Sequence, residues 1–130
     1  MENGSIWVLC IADSNRRLHQ IARVLKKVGY NIAMSTSGHN AVAMAVVGNK
    51  FDAVVIDEDM VLGDGSIAES IKAVKTIPVL LVCDAGPTGS LPAGVDLITA
   101  NGSRQQIVAG LVKLLGRPAP ASRMTSNQSA

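Results

Sequence analysis

Apolar residues in this chain fall into short unbroken runs, separated by stretches where they recur every three or four positions. Ile6–Ile11 (IWVLCI), Ala53–Ile56 (AVVI) and Val79–Cys83 (VLLVC) are continuous and rich in branched side chains, the pattern of strands buried on both faces of a parallel sheet. Tyr30–Ser35 is short and partly polar, as suits an edge strand, and Val95–Thr99 (VDLIT) is a fifth strand. Between the first two strands, Leu18, Ile21, Ala22, Leu25 and Val28 recur at helical spacing opposite Arg16, Arg17, Arg23 and Lys26. Ala12-Asp13-Ser14-Asn15 is a capping cluster ahead of that helix, and Gly29 is its stop. Ser37-Gly38 opens an Ala-rich helix over about Asn40–Val47, and Ser66 can cap another carrying Ile67, Ala68, Ile71 and Val74. The last helix spans Ser103–Leu115, with Ile107, Val108, Leu111, Leu114 and Leu115 inward.

Strands alternating with helices predict right-handed βαβ units: an α/β three-layer sandwich with helices on both faces of a parallel sheet. Five strands with the first and third central give the flavodoxin-like order 2-1-3-4-5, whose switch point lies between the carboxyl ends of those two strands. Asp13 follows the first and Asp57 ends the third. Carboxylates are disfavoured beside a dry core, so Asp57-Glu58-Asp59 either splay into water or form a site. Two neighbouring carboxylates would hold a proton or a hard cation between them, and Asp13 can serve as a helix cap, a ligand or both.

Composition narrows the classes. The 130 residues are enough for one domain, expected over 1–116, with the Pro/Ser/Ala-rich 117–130 as a flexible tail or linker stump. Hydrophobic residues make up 48% and aromatics 2%, so the core is aliphatic and flavin-sandwiching rings are nearly absent. No glycine-rich phosphate loop follows the first strand. The net charge of +2 comes with basic residues scattered along the sequence, unlike a nucleic-acid binder. Cys10 and Cys83 sit in apolar runs without metal spacing and read as reduced thiols; Cys10 lies inside a strand, unsuited to a phosphocysteine role. His19 and His39 fall on polar helical positions. No run reaches a membrane span and the N-terminus lacks a basic leader, so a cytoplasmic protein with no membrane partner is expected.

The stretch Ile56–Gly65 (IDEDMVLGDG) resembles the phospho-acceptor strand and following loop of the receiver domain of bacterial two-component response regulators, and the likeness covers about Ser5–Leu115. The resemblance implies that Asp57 accepts a phosphoryl group from a histidine kinase or phosphotransfer protein. It implies Mg²⁺ held by Asp13, Asp57 and the carbonyl of Asp59, and a change in binding to an output domain or protein partner. A carboxylate nucleophile suits this chemistry, since its acyl phosphate forms and breaks readily when a cation neutralises the oxygens.

The departures from the family are specific. The first of its paired acids is Ala12 here, and Asp84 stands where the family has a small residue. The hydroxyl residue that would contact the phosphoryl group is Cys83, and a thiol is a weak donor. Asn101 replaces the phosphate-pairing lysine, Gly102 the proline after it, and Ile98 the aromatic switch residue. The Pro- and Gly-containing stretch after Asp84 predicts that the helix between the fourth and fifth strands is missing or reduced to a turn. Two functions follow, neither an enzyme in the ordinary sense. One is a live receiver phosphorylated on Asp57; the other is a degenerate pseudo-receiver acting as a phosphorylation-independent protein–protein interaction module.

Overall fold

The computed structural model describes residues 6–47, 51–57, 67–83, 94–99 and 104–120. Their elements run β1 (Trp7–Ile11), α1 (Asn15–Lys27), β2 (Asn31–Ser35), α2 (Gly38–Val46), β3 (Ala53–Asp57), α3 (Ile67–Val74), β4 (Val79–Val82), β5 (Leu97–Ile98) and α4 (Arg104–Leu115). The strands form one parallel sheet in the order β2-β1-β3-β4-β5. This is the flavodoxin-like order that the hydrophobic pattern predicts.

Burial explains the order. Every residue of β3 and β4 is buried, whereas β2 is half-buried until Ser35, as an edge strand allows. Alternate residues of the central strands face opposite helix layers, because successive side chains point to opposite faces. Val8 and Cys10 of β1 pack with Leu18, Ile21 and Leu25 of α1 and Ile107 and Leu111 of α4. Leu9 and Ile11 pack instead with Ala41 and Ala45 of α2 and Ile67, Ala68 and Ile71 of α3. The result is two aliphatic cores, one on each side of the sheet.

The helix ends follow the local chemistry. Ser14 Oγ accepts the Arg17 amide at 3.1 Å, and Gly29 (φ 97°) closes α1 with its amide on the Lys26 carbonyl at 3.0 Å. Ser37 Oγ accepts the Asn40 amide at 3.3 Å, so α2 begins at Gly38, two residues before the expected start. β5 is shorter than its apolar run. Asp96 turns its carboxylate onto the Val79 amide (2.8 Å) and the Thr99 amide bonds the Leu81 carbonyl (3.0 Å), bracketing a two-residue ladder. Past α4 the chain still touches the domain: Ala119 is buried in the α1/α4 core, and Arg117 Nη2 lies 3.9 Å from Asp52 Oδ1. The expected shortening of the helix between β4 and β5 falls on 84–93, outside the described residues.

Candidate functional site

The parallel register aligns Ile11 with Ile56, so the next residues of each strand, Ala12 and Asp57, stand at the same level on the sheet's carboxyl edge. Asp57 ends β3 facing Val82 in register and is only 4% exposed. A buried carboxylate needs a compensating partner. It finds one in Arg17: Nε donates to Asp57 Oδ1 at 2.8 Å, and the Arg17 side chain is 24% exposed. This is a charge-assisted pair of the stronger kind, shielded from most solvent.

α1 positions the guanidinium. With Ser14 as the cap, Arg17 is the third helical residue, and the first turn contains no acid. A cation near a helix N-terminus is opposed by the macrodipole. Here the Asp57 carboxylate offsets that penalty across 40 positions of sequence.

Asp13 immediately precedes the cap and is exposed, with no ion pair among the described residues. Ala12 is fully buried and gives a methyl to the α1/α4 core where the receiver pattern has a carboxylate. Cys83 lies just past β4, half-buried; its amide donates to Thr99 Oγ1 at 3.2 Å. Thr99 is 3% exposed, so a hydroxyl is present at this edge, contributed by the residue after β5. Asp59 and Asn101, together with Glu58, Asp64 and Asp84, lie outside the described residues.

Arg17 and Thr99 are the residues that sequence reasoning passed over. Helical spacing puts Arg17 opposite the apolar stripe, the side that ordinarily faces solvent. The signal for it was a basic residue in a first helical turn, where acids are preferred, close behind the strand that flanks Asp57.

Among the described residues the oxygen donors this edge offers a divalent cation are reduced to Asp13 and a carboxylate already shared with Arg17. Mg²⁺ requires near-octahedral oxygen donors, usually one or two carboxylates with several waters. Asp57 Oδ1 is already engaged by a guanidinium, Ala12 offers no oxygen, and no group of three His, Cys, Asp or Glu side chains gathers among the described residues.

Buried Cys10 is a chemically quiet thiol. Burial pushes its pKa up to about 12, with Lys26 acting weakly in the other direction. Of the two histidines, His19 is exposed with Nδ1 2.8 Å from the Asn15 carbonyl oxygen, while the side chain of His39 is outside the description.

No family model and no curated protein sequence matches the chain. Solved structures do. The receiver domain of a sensor histidine kinase from Pseudomonas aeruginosa, solved with a magnesium ion in its active-site cleft, aligns over 86% of this chain and 98% of its own, with TM-score 0.74 and 22% identity. A protein from Chloroflexus aurantiacus described as a response regulator aligns over 87% and 99%, with TM-score 0.72 and 22% identity. A protein from Burkholderia thailandensis described as a pilus assembly protein aligns over 86% and 99%, with TM-score 0.69 and 17% identity. The chain therefore has the fold of response-regulator receiver domains.

Proposed function

We propose that this chain is a receiver-type signalling domain that works as a phosphorylation-independent protein–protein interaction module, a binding domain rather than an enzyme, in the cytoplasm. The observation that carries this reading is the Arg17–Asp57 pair: the acceptor-position carboxylate is buried and already neutralised by a cation belonging to the chain itself. A metal would have to share this carboxylate with the guanidinium or displace it, and displacement costs a charge-assisted hydrogen bond worth about 1.5–3 kcal/mol. Ala12 and Cys83 support the same reading, as does Asn101 by its sequence position, since each removes a charge or a strong donor that phosphoryl transfer would use.

A second reading keeps Asp57 as a phosphoryl acceptor for a histidine kinase or phosphotransfer protein, with Mg²⁺ on Asp13, Asp57 and Asp59. What favours it is the place of Asp57 at the switch-point edge of β3, where open α/β sheets bind ligands. The magnesium-bound kinase receiver domain of the same fold adds weight.

One experiment separates them. The chain is incubated with acetyl phosphate, or with beryllofluoride, in the presence of Mg²⁺, and adducts are read by intact mass and by NMR. The module reading expects no adduct on the native chain. An adduct on the native chain that Asp57→Asn abolishes overturns it and establishes the second.

A further inference from the structure

The basic residues that look scattered in sequence are gathered by the fold. α1 and α4 lie on the same side of the sheet and share one core. Together they carry seven Lys and Arg (Arg16, Arg17, Arg23, Lys26 and Lys27 in α1; Arg104 and Lys113 in α4), out of 12 in the chain. None of the ten acids of the chain falls in either helix. The opposite layer differs: α2 has no charged residue, and α3 has one acid and one base, Glu69 and Lys72. Lys72 is paired with Asp96 at 2.6 Å. Arg17 is spent on Asp57, but Arg16, Arg23, Lys26, Lys27 and Lys113 are exposed and form no ion pair among the described residues.

We propose that the α1/α4 layer is the docking face for an acidic segment of a protein partner. This names the partner of the interaction module proposed above and rests on that reading. The surface has a shape suited to it. His19, Arg23, Lys26 and Lys27 rim a groove of about 400 Å³ on α1 with Ala22 also lining it. The charged heads of such a rim accept carboxylates of a peptide, while the methylene stems of Arg23, Lys26 and Lys27 offer apolar contact beneath them.

Charge complementarity selects a short acidic segment over a nucleic acid. From Arg16 to Lys27 the row extends about 16 Å, the length of a three-turn helix. A longer polyanion would run into Asp13, exposed just ahead of α1, and the chain's net charge is only +2. The single Trp, Tyr and Phe do not provide a stacking platform either: Tyr30 is buried and Trp7 is in β1.

The test uses the full chain and a synthetic acidic amphipathic peptide of about 12 residues, rich in Glu with Leu at helical spacing. Its controls are a Gln-for-Glu peptide, a single-stranded oligonucleotide of similar length and phosphatidylserine vesicles. Two variants with equal charge change are compared: Arg23→Glu/Lys27→Glu on the face, and Lys72→Glu/Lys75→Glu in and just after α3, on the opposite layer. Both leave Arg17 and Asp57 intact, and circular dichroism checks that each folds. The expected result is salt-sensitive binding of the acidic peptide, with amide shifts mapping to α1 and α4. The face variant should weaken it about tenfold or more and the control pair less than about twofold. Equal weakening by both pairs, binding no tighter than the Gln peptide, or tighter binding of the oligonucleotide or vesicles would overturn the docking proposal. An Asp57-dependent phosphoryl adduct, with peptide binding and its loss in the face variant unchanged, would overturn the silent-module reading while supporting the docking face.

Discussion

Arg17 Nε and Asp57 Oδ1 stand 2.8 Å apart, joining the first turn of α1 to the end of the central strand β3. The pair ties a helix of one layer to the carboxyl edge of the sheet, where open α/β sheets bind ligands. It also gives a buried carboxylate a charge-assisted hydrogen-bond partner.

Removing Arg17 should therefore cost more than removing an ordinary surface arginine. Arg17→Ala is expected to lower unfolding free energy by about 1–3 kcal/mol, discounted from fully buried pairs because the guanidinium keeps some solvent contact. Asp57→Asn in the Arg17→Ala background should cost much less than in the native chain. A double-mutant cycle in urea with coupling of about 1 kcal/mol or more would express the pair, and additive losses would show that it contributes nothing.

Alkaline pH should expose Cys10. Its thiol is held neutral in the fold up to about pH 12, against an ordinary value of 9.0, because burial penalises the thiolate. The unfolded chain releases that proton first, so the contribution is complete below about pH 9 and is lost as pH rises towards 12. Tyr30 is shifted upward as well, mainly by burial and against the pull of Arg117, so it acts in the same direction. Urea midpoints measured from pH 8 upward should fall, and Cys10→Ala should flatten the decline while lowering the starting stability through its cavity. The Tyr30 hydroxyl has no hydrogen-bond partner among the described residues, so Tyr30→Phe should be close to neutral at pH 7.

Gly94 is constrained twice. Its φ is +83°, and a Cβ there would lie 2.7 Å from both Ala68 C and Glu69 N in the backbone of α3. Gly94→Ala is expected to destabilise by about 1–3 kcal/mol through left-handed strain, with the backbone clash adding to it. Thermal unfolding of the variant, compared with Gly116→Ala, separates the two causes. Gly116 has φ +71° but open space around its Cβ position, and should cost less.

Asp96 fastens β4 to β5 and α3. Its Oδ2 accepts the Val79 amide at 2.8 Å and meets Lys72 Nζ at 2.6 Å. Asp96→Ala should cost about 1–3 kcal/mol, mostly from the Val79 amide left without its acceptor, and Lys72→Ala about 1 kcal/mol or less because that pair is partly exposed. Hydrogen exchange of the Val79 amide should accelerate strongly in the first variant and little in the second.

The sequence determined what depends on neighbours along the chain. Continuous branched runs require two-sided burial, and the three- and four-residue spacings of Leu18, Ile21, Ala22 and Leu25 require a helix with one apolar stripe. Strand order followed because parallel connections have one hand and the least polar strands take the centre. Asp57 was legible for the same reason, as an acid at the end of a buried run. Tertiary structure alone decided its partner. Arg17 lies 40 positions away, on the polar side of its own helix, and helical periodicity cannot distinguish a side chain facing solvent from one reaching over a sheet edge. The same holds for the cationic layer: α1 and α4 are far apart in sequence and are brought onto one side of the sheet by the crossover connections. Periodicity is a property of one element, whereas ion pairs and surface charge are properties of how elements are placed together.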